Sequence, residues 1–558
     1  MEEFYKLQLN RAIWVALMEQ KKFLEASHYY GIYMGYLEEL KTDTPEINKL
    51  RKNEISIATE IYESKLVKYA EKLYAEGDYS NALICYTELF RIYSNNFNYI
   101  DNYLTCLKKL EQYDLMLNLL SYMEINSSDK LKIYKLTAET YDKLNINSKS
   151  TEYYEKYLKL KGKENITPDE YNTLGCYYNK LYAENTHKLD DLKKSLNCFV
   201  IASDMEPQSR LFAKNVTIMA GKGMDNDICY KYWQRVLQTN QMTNDDKYDY
   251  AAFCLRTERF EEWHKFFDAR FKKENNATYF PEINRLRWDG VKSLSNSTLL
   301  VHYEQGFGDT ILMWGYMPRL VKLAKHVIFV VQDELYPLLK DNDLGIEVIA
   351  KKNALLDNLK FNYYIPAMSI PIVLKLTREN ISVGEGFIKP NKDIVERYKN
   401  EYFNNNKLKI GLSFAGSNTG NRTRDIEINK FLPFDELDNV EIYSLTKNIS
   451  DEQLSCFKNN KVTNLGKTFK NFADTAAAME NCDLIISTDN VLMNLAGAIG
   501  KKTFGLFNYT NEFRYFDLTG DNIVWLTSVK PFVCDDIDHW EYVIDKVITE
   551  IKKSGKFQ

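Results

Sequence analysis

The apolar positions of the chain follow two different patterns, and the change between them falls near Tyr279. Before it, aromatic and small residues recur with the spacing of helix faces. After it, short apolar runs bounded by turn residues alternate with helical stretches. The first pattern predicts packed helices, and the second predicts parallel β-sheets with crossover helices. The sequence therefore indicates a helical region followed by α/β domains.

One motif recurs through the first half: an aromatic residue, a small residue three positions on, and a second aromatic residue four positions later. Good copies are Phe23/Ala26/Tyr30 and Tyr79/Ala82/Tyr86. Weaker copies follow in two groups with steps of 34 residues, at Tyr113/Met116/Leu120, Asn147/Ser150/Tyr154, Ser195/Phe199, Cys229/Trp233 and Phe260/Trp263/Phe267. A fixed step of this length in a helical background predicts about seven helix pairs across residues 5–275.

The unit with Leu174, Gly175 and Tyr178 resembles the tetratricopeptide repeat (TPR). In such an array the small residue lets the two helices of a unit approach closely. Aromatic residues fill the space between units, because one helix pair cannot bury its own apolar face. We interpret the individual aromatic and charged residues as packing and solvated positions. The array as a whole is expected to bind a peptide or protein partner.

The second half contains two series of strand-like runs. The predicted strands are 298–303, 326–332, 345–349 and 361–365 in the first series, and 408–414, 440–445, 482–487, 502–507 and 522–526 in the second. Lysine and asparagine are frequent in residues 397–407, which we interpret as a linker. A final helix at about 537–552 is expected to pack back on the first half of this region. Two Rossmann-like domains in this order predict the GT-B arrangement.

The turn at residues 304–310, Glu-Gln-Gly-Phe-Gly-Asp-Thr, follows the first predicted strand and precedes a helical segment. Such a turn places backbone N–H groups and one carboxylate at the carboxyl edge of a sheet, where α/β proteins bind ligands. Alone the signal is weak, because most glycine turns only make a tight corner, and Asp309 would also suit the start of a helix. His302, inside the preceding strand, is interpreted as a core residue.

Composition narrows the class of protein. The 558 residues suffice for two to four domains, and 45% hydrophobic with 27% charged residues is typical of a soluble globular protein. A net charge of −5 gives no reason to expect nucleic acid or an anionic membrane as partner. The nine cysteines have no close pairs, so they are interpreted as buried free thiols in a reducing cytoplasm. Neither a signal peptide nor a membrane span is predicted.

Several motifs of the second half resemble the catalytic region of bacterial tetratricopeptide-repeat glycosyltransferases, which are related to the family 9 heptosyltransferases. The matching segments are 287–290, 299–310, 316–320, 411–418, 421–426, 443–445, 471–476, 486–489 and 495–502. They occur in the family's order and span roughly residues 280–550. Each is weak alone, but together they are specific.

The resemblance implies a role for each motif. Asp309 would be the base that deprotonates the acceptor hydroxyl, and Arg422 and Arg424 would face the departing diphosphate. The implied donor- and substrate-binding residues are Gln305, Gly306, Gly308, Ser413, Arg422, Arg424, Tyr443, Ser444, Leu445, Thr488, Asp489, Asn490 and Asn494. Surface arginines and a loop-fixing Asp489 are the structural alternatives. The resemblance favours transfer without a metal or another cofactor, with a nucleotide-diphosphate sugar as the donor substrate.

The loop before the next helix departs from the family pattern Asp-Thr-x-x-x-His-Leu-Ala, whose threonine and histidine line the diphosphate site. This chain has Asn490 and Asn494 at those two positions. In place of the histidine, the Asn494 side chain can still form hydrogen bonds to phosphate but cannot carry a positive charge. The change is compatible with a different donor, weakened activity, or a fold retained for binding only.

These observations predict a cytoplasmic glycosyltransferase of three domains: a TPR region at 1–278, an acceptor-side domain at 279–400 and a nucleotide-sugar domain at 401–558. The expected reaction is inverting, and the expected acceptor is a protein or peptide held by the repeats. Two alternatives stay open. One is a non-catalytic scaffold with a degenerate transferase region, and the other is an enzyme that acts on cell-envelope glycans.

Overall fold

The computed structural model describes residues 2–39, 44–92, 99–184, 188–273, 281, 283, 286–414, 424–458, 462–509 and 522–553. The chain divides into two compact units, Met1–Thr167 and Pro168–Gln558.

The first unit consists of helix pairs. Its helices are α1 (Glu2–Glu19), α2 (Phe23–Glu39), α3 (Pro45–Ala75), α4 (Tyr79–Ile92), α5 (Ile100–Lys109), α6 (Tyr113–Asn126), α7 (Lys130–Lys143) and α8 (Asn147–Lys161). Consecutive helices pack in pairs. The small-residue positions Ala26, Ala82 and Ser150 are fully buried, as the motif predicts. Aromatic rings fill the interior, and those of Tyr30 and Tyr62 stack with centroids 4.3 Å apart.

The second unit begins with three more helix pairs. They are α9 (Pro168–Glu184) with α10 (Leu189–Met205), α11 (Arg210–Lys222) with α12 (Asn226–Gln238), and α13 (Asn244–Arg256) with α14 (Phe260–Phe266). Gly175 shows why the repeat needs a small residue: a Cβ atom there would lie 2.6 Å from the ring of Phe199. Four pairs in the first unit and three in the second confirm, for the described residues, the predicted number of about seven.

A five-stranded parallel sheet follows the repeats. Its elements are β1 (Leu286–Arg287), β2 (Thr298–His302), α15 (Phe307–Trp314), α16 (Met317–Val321), β3 (His326–Val331), α17 (Tyr336–Leu339), β4 (Glu347–Ala350), β5 (Tyr363–Pro366) and α18 (Ile370–Val373). The strand order is β1-β5-β2-β3-β4. The central strand β2 pairs with both β3 and β5, so Leu300 lies opposite Ile328 on one side and Tyr364 on the other.

A second parallel sheet has six strands in the order β11-β10-β9-β6-β7-β8. Its elements are α19 (Lys392–Tyr402), β6 (Leu408–Ser413), β7 (Val440–Ser444), α20 (Asp451–Leu454), β8 (Val462–Asn464), α21 (Phe472–Glu480), β9 (Leu484–Thr488), α22 (Val491–Ala498), β10 (Thr503–Phe507), β11 (Val529–Val533) and α23 (Trp540–Lys553). The near-continuous apolar runs of β6, β9 and β10 are explained by burial on both faces. The predicted class, TPR-like helices followed by a GT-B pair of Rossmann-like domains, is confirmed.

Three local predictions were wrong. Residues 522–526 do not form a strand. They are apolar because they pack elsewhere: Leu526 lies against Gly497, and Trp525 meets Tyr316 of the first α/β half edge to face. The edge strand is β11, whose Pro531 concealed it, since proline is tolerated only where its missing N–H is not needed.

The interpretation of residues 397–407 as a linker also needs correction, because α19 extends to Tyr402. Asn391 caps this helix, Tyr398 is buried, and the helix packs on α21. Within the described residues, the core that contains the final helix α23 is that of the second sheet and includes no residue of the first half, where this helix was expected to pack. Its buried face, which includes Trp540 and Val547, belongs to the core that contains strands β6, β7 and β10.

The nine cysteines are free thiols, seven of them buried and two partly exposed, in agreement with the sequence. Burial raises the pKa of Cys482 to about 12. Within the described residues, no helix is both long and apolar enough to cross a membrane.

Candidate functional site

The first part of the site is the turn between β2 and α15. Helix α15 begins at Phe307, and the carboxylate of Asp309 in its first turn accepts a hydrogen bond from the Gly306 N–H at 3.0 Å. Asp309 therefore fixes the helix start, as the structural alternative predicted, while remaining partly exposed. Its catalytic role stays a prediction.

Gln332, which follows β3, clamps the same turn from the side. Its amide N–H donates a hydrogen bond to the carbonyl of Gln305 at 3.0 Å. Its amide oxygen accepts a hydrogen bond from the Thr310 hydroxyl at 2.9 Å. Both Thr310 and Gln332 are buried. The backbone around Asp309 is thus held by a neighbouring strand.

The second part of the site is the loop between β9 and α22. Asn490 caps α22 by accepting the Leu492 N–H at 2.8 Å. Its amide donates to the hydroxyls of Ser413 and Thr488, both at 3.0 Å. Strands β6 and β9 are neighbours from which the sheet is built outward in opposite directions, so these residues lie at its topological switch point. The structure thus brings three predicted donor-side residues together where a parallel sheet binds ligands.

The two parts meet across the cleft between the α/β halves. A Cβ atom on Gly308 would lie 2.4 Å from the amide nitrogen of Asn494, so a larger residue here would require the Asn494 side chain or the turn to shift. Asn494 lies in α22 and is 4% exposed. The contact places one of the residues that depart from the family pattern directly beside the turn of Asp309.

Arg424 and Asp489 also come together. The Arg424 Nε lies 3.6 Å from the Asp489 carboxylate, with the arginine partly exposed and the aspartate buried. Both predicted residues are therefore on the same side of the cleft. Arg422 lies outside the described residues.

A pocket of about 430 Å³ opens beside these loops. Its lining residues are Phe307, Glu334, Leu445, Thr446, Lys447, Asn448, Phe469, Lys470, Asn471, Phe472, Thr475, Asn490, Val491 and Leu492. Both α/β halves contribute: the rings of Phe307 and Phe472 meet with centroids 5.0 Å apart, and the Phe472 N–H donates to the Glu334 carbonyl. The volume and the mixed lining suit a small-molecule ligand.

The segment 443–445, which the family resemblance predicts to meet the nucleoside through backbone groups, has side chains in different surroundings. Leu445 lines the pocket. Tyr443 is buried in β7, where its hydroxyl donates to the Tyr402 carbonyl and its ring stacks on Phe403. Ser444 is also fully buried in the strand. The side chain of Tyr443 therefore serves the core.

Sequence reasoning missed much of the pocket wall, including Lys447, Lys470 and Phe469. Lys447 follows β7, and Lys470 precedes α21, so both lie at the carboxyl edge of the sheet. The position of Lys447 just after the predicted strand 440–445 was a signal that could have identified it, whereas the strand before Lys470 was not predicted. Gly466 shapes the same wall, since a Cβ atom there would lie 2.1 Å from the carbonyl oxygen of Thr446.

Two further features concern a histidine in the strand before the turn and the side chains that could bind a metal ion. His302 is buried within β2, as predicted, and burial lowers its pKa to about 4. Among the residues that the structure describes, no group of three or more His, Cys, Asp or Glu side chains is arranged to hold a metal ion.

Comparisons with known proteins add the following. No family model matches the chain. A curated relative, "Protein FlbA" of Caulobacter vibrioides, is 23% identical over 333 residues, which cover 54% of this chain and 54% of that protein. The chain thus spans about half the length of this relative.

Solved structures match the two regions separately. A family 9 glycosyl transferase from Veillonella parvula matches at TM-score 0.37 and 14% identity, covering 47% of this chain and 91% of the other. The E. coli ADP-heptose lps heptosyltransferase II matches at TM-score 0.34 and 10% identity, with coverages of 46% and 99%. The TPR protein YrrB, described as having an unusual peptide-binding site, matches at TM-score 0.27 and 14% identity, with coverages of 33% and 89%. The fold itself rests on the helix pairs and the two parallel sheets.

Proposed function

We propose that the chain is a glycosyltransferase that moves a sugar from a nucleotide-sugar donor to an acceptor hydroxyl. The contact between Gly308 and Asn494 carries the proposal. It brings the turn that carries Asp309 on one Rossmann-like half beside the first turn of helix α22 on the other, and Phe307 and Asn490 of these two segments line a pocket of ligand size. A base and an anion-binding helix start on opposite sides of one cleft are what this transfer needs.

In the proposed reaction Asp309 takes the proton from the acceptor hydroxyl as its oxygen attacks the anomeric carbon. The bond from that carbon to the diphosphate breaks, and the nucleoside diphosphate leaves with the electron pair. Attack from the side opposite the leaving group inverts the anomeric centre. Asp309 is supported in this role by its place in the first turn of α15, partly exposed at the cleft.

Stabilisation of the leaving diphosphate is assigned to the second half. Arg424, together with Arg422, would supply guanidinium groups, and the capped start of α22 would supply backbone N–H groups. Lys447 and Lys470 are exposed at the pocket and add positive charge. They can compensate for the neutral Asn494. We propose that no metal is required, so transfer should persist in excess EDTA.

The acceptor is proposed to be a protein or peptide held by the repeats. The support is the presence of TPR-like helix pairs in both units, since repeats of this kind form binding surfaces for extended chains.

The proposal is tested by a thermal-shift and donor-hydrolysis screen against a panel of nucleotide sugars, with the wild type and Asp309→Asn side by side. Asparagine can still accept the Gly306 N–H, so the variant should fold normally. We expect one donor to stabilise both proteins and only the wild type to turn it over. The loss of turnover should be about 10²–10⁴-fold, the usual contribution of a general base.

Two results would contradict the proposal. Equal turnover by both proteins would remove Asp309 from the mechanism. If no donor binds to the wild type at millimolar concentration, the scaffold interpretation, which the neutral Asn494 favours, replaces the enzyme.

A further inference from the structure

Arg270 is a buried cation that the proposed chemistry does not use. It lies in the short helical segment Phe267–Lys272, which follows the last helix pair, and its side chain is 1% exposed. Its guanidinium binds both carboxylate oxygens of Glu304, at 2.6 and 3.0 Å. Glu304 is fully buried and begins the turn that carries Asp309.

The position of this pair in the first sheet is unusual. The sheet is built outward from β2, with β3 on one side and β5 on the other, so its topological switch point lies between β2 and β5. Glu304 follows β2, Ser369 follows β5, and Arg270 binds both, donating to the Ser369 hydroxyl at 2.6 Å. Open α/β sheets normally bind a ligand in this crevice. Here a side chain from the end of the repeat region fills it.

Two further charges complete the cluster. Asp268 accepts from Arg270 at 2.6 Å and from Arg287 of β1 at 2.5 Å, and Arg287 also donates to Ser369 at 2.7 Å. Two cations therefore balance two anions. Burial by itself lowers the pKa of Arg270, but the carboxylates of Glu304 and Asp268 outweigh it and the pKa is raised. The Arg270 guanidinium therefore keeps its positive charge at neutral pH.

Stability alone does not account for such a cluster. The gain from a buried ion pair is largely offset by the loss of hydration, so well-packed apolar residues often serve as well. A two-pronged arginine–carboxylate pair does fix geometry, because both hydrogen bonds are satisfied in only one orientation. Glu304 directly precedes Gln305 and Gly306, whose backbone groups form the hydrogen bonds of the turn.

We propose that Arg270 is a positioning residue through which the end of the repeat region sets the geometry of the Asp309 turn. The first Rossmann-like half thus completes its acceptor-side turn with a side chain from the repeats. The catalytic consequence rests on the proposed function, whereas the effect on the turn does not.

The test replaces Arg270 with lysine in the full-length chain. Lysine keeps the charge but cannot bind Glu304, Ser369 and Asp268 together. The matched control is Arg210→Lys, since Arg210 makes an equally short ion pair with the buried Asp246 inside the repeats, at 2.6 Å between Nε and Oδ2.

The first readout is amide hydrogen exchange. In Arg270→Lys, residues 303–312 should exchange roughly tenfold faster, as expected for the loss of a charge-assisted hydrogen bond. Residues 487–494 should be unchanged, and Arg210→Lys should leave both segments unchanged. Unaltered exchange at 303–312, or the same acceleration in the control, overturns the proposal whether or not the chain is an enzyme.

The second readout is kinetic. A displaced turn should lower kcat by on the order of 10²-fold, the effect of a misplacement of about 1 Å, while the donor KM stays within twofold. A general loss of structure would instead change both constants, which would contradict positioning. If the turn is loosened in Arg270→Lys but the wild type has no transferase activity, the proposed function is refuted and the geometric inference remains intact.

A milder variant guards against misfolding of Arg270→Lys. Ser369→Ala removes the hydroxyl that links Arg270 to Arg287 but leaves the pair with Glu304 in place. It should accelerate exchange at 303–312 by a smaller factor than Arg270→Lys. No acceleration in a folded Ser369→Ala protein would count against the network.

Discussion

The cleft is bounded by two segments of similar design that are held in different ways. Both join a central strand to an eight-residue helix, β2 to α15 and β9 to α22. The turn before α15 is fixed by Gln332 at the end of the neighbouring strand and, from outside the sheet, by the buried charge of Arg270. The loop before α22 is fixed from within its own sheet, by the neutral side chains of Ser413, Thr488 and Asn490.

The two segments therefore differ in which parts of the chain supply their hydrogen bonds. The donor-side loop satisfies its hydrogen bonds locally, so it can be preformed in the second sheet. The acceptor-side turn needs a cation from the repeat region. An enzyme built this way would couple acceptor handling to the repeats while leaving donor binding independent of them.

The largest effect is expected from closing the gap between the two segments. Gly308→Ala puts a methyl group into the amide of Asn494 and should push the turn away from α22, lowering kcat by on the order of 10²-fold. Gly221→Ala in α11 is the control, because a Cβ atom there would meet its nearest neighbour, the Arg256 guanidinium, at an ordinary 3.9 Å. Steady-state kinetics of both variants measure this effect on kcat. The combined change Gly308→Ala/Asn494→Ala should recover activity relative to Gly308→Ala alone. Equal activity of the two alanine variants would contradict this account of the cleft.

A fall in pH should weaken the turn before α15 before it weakens the loop before α22. Burial, with a smaller effect of Lys351, lowers the pKa of His302 from 6.5 to about 4. The unfolded chain therefore takes up a proton at a higher pH than the folded one. The stability that His302 retains at neutral pH is lost as the pH falls from about 6.5 to 4, by about 1.4 kcal/mol per pH unit.

Denaturant unfolding of the wild type and His302→Gln between pH 7 and pH 4 measures this contribution. The wild type should lose more stability than the variant over that range. Parallel pH curves would show that His302 is not the titrating group.

Removal of the lateral clamp should have an intermediate effect. Gln332→Ala leaves the carbonyl of Gln305 and the hydroxyl of Thr310 without their side-chain partner, which costs about 1–3 kcal/mol for buried groups. The loss should appear as faster hydrogen exchange at 303–312 and a lower midpoint of unfolding. If exchange accelerates at 487–494 to the same degree, the two segments are not held independently.

The smallest effect is expected from the donor-side cap. Asn490→Ala removes the N-cap of α22 and should cost about 1 kcal/mol. Asn490→Ser keeps a capping oxygen and should retain most of the stability, so it serves as the control. Asn490→Ala should weaken donor affinity and leave hydrogen exchange at residues 303–312 as in the wild type. A loss of order in that turn would mean that the loop also supports it.

Much of the fold could be predicted because its signals are local. Fixed spacing of small residues such as Ala82 and Ser150 identified the helix pairs, and apolar runs identified most strands. The sequence pattern gave a wrong prediction where an apolar residue packed outside a strand or a strand contained proline. Pro531 hid β11, and Trp525 and Leu526 imitated a strand while packing against the other half and α22.

The candidate site was predictable only in part. Gly308 and Asn490 could be named because the motifs that contain them resemble a known family. The approach of Gly308 to Asn494 could not, since 186 positions separate them in the chain. The pairing of Arg270 with Glu304 has no local signal either, because a buried arginine and a solvated one look alike in sequence.

A crystal structure of Asp309→Asn with the nucleotide sugar that the donor screen identifies would test the proposed transferase site. We expect the nucleotide in the pocket beside Phe472, its diphosphate at the start of α22 within reach of Arg424, and the anomeric carbon facing residue 309. A donor bound elsewhere, or bound with its sugar directed away from residue 309, would contradict it.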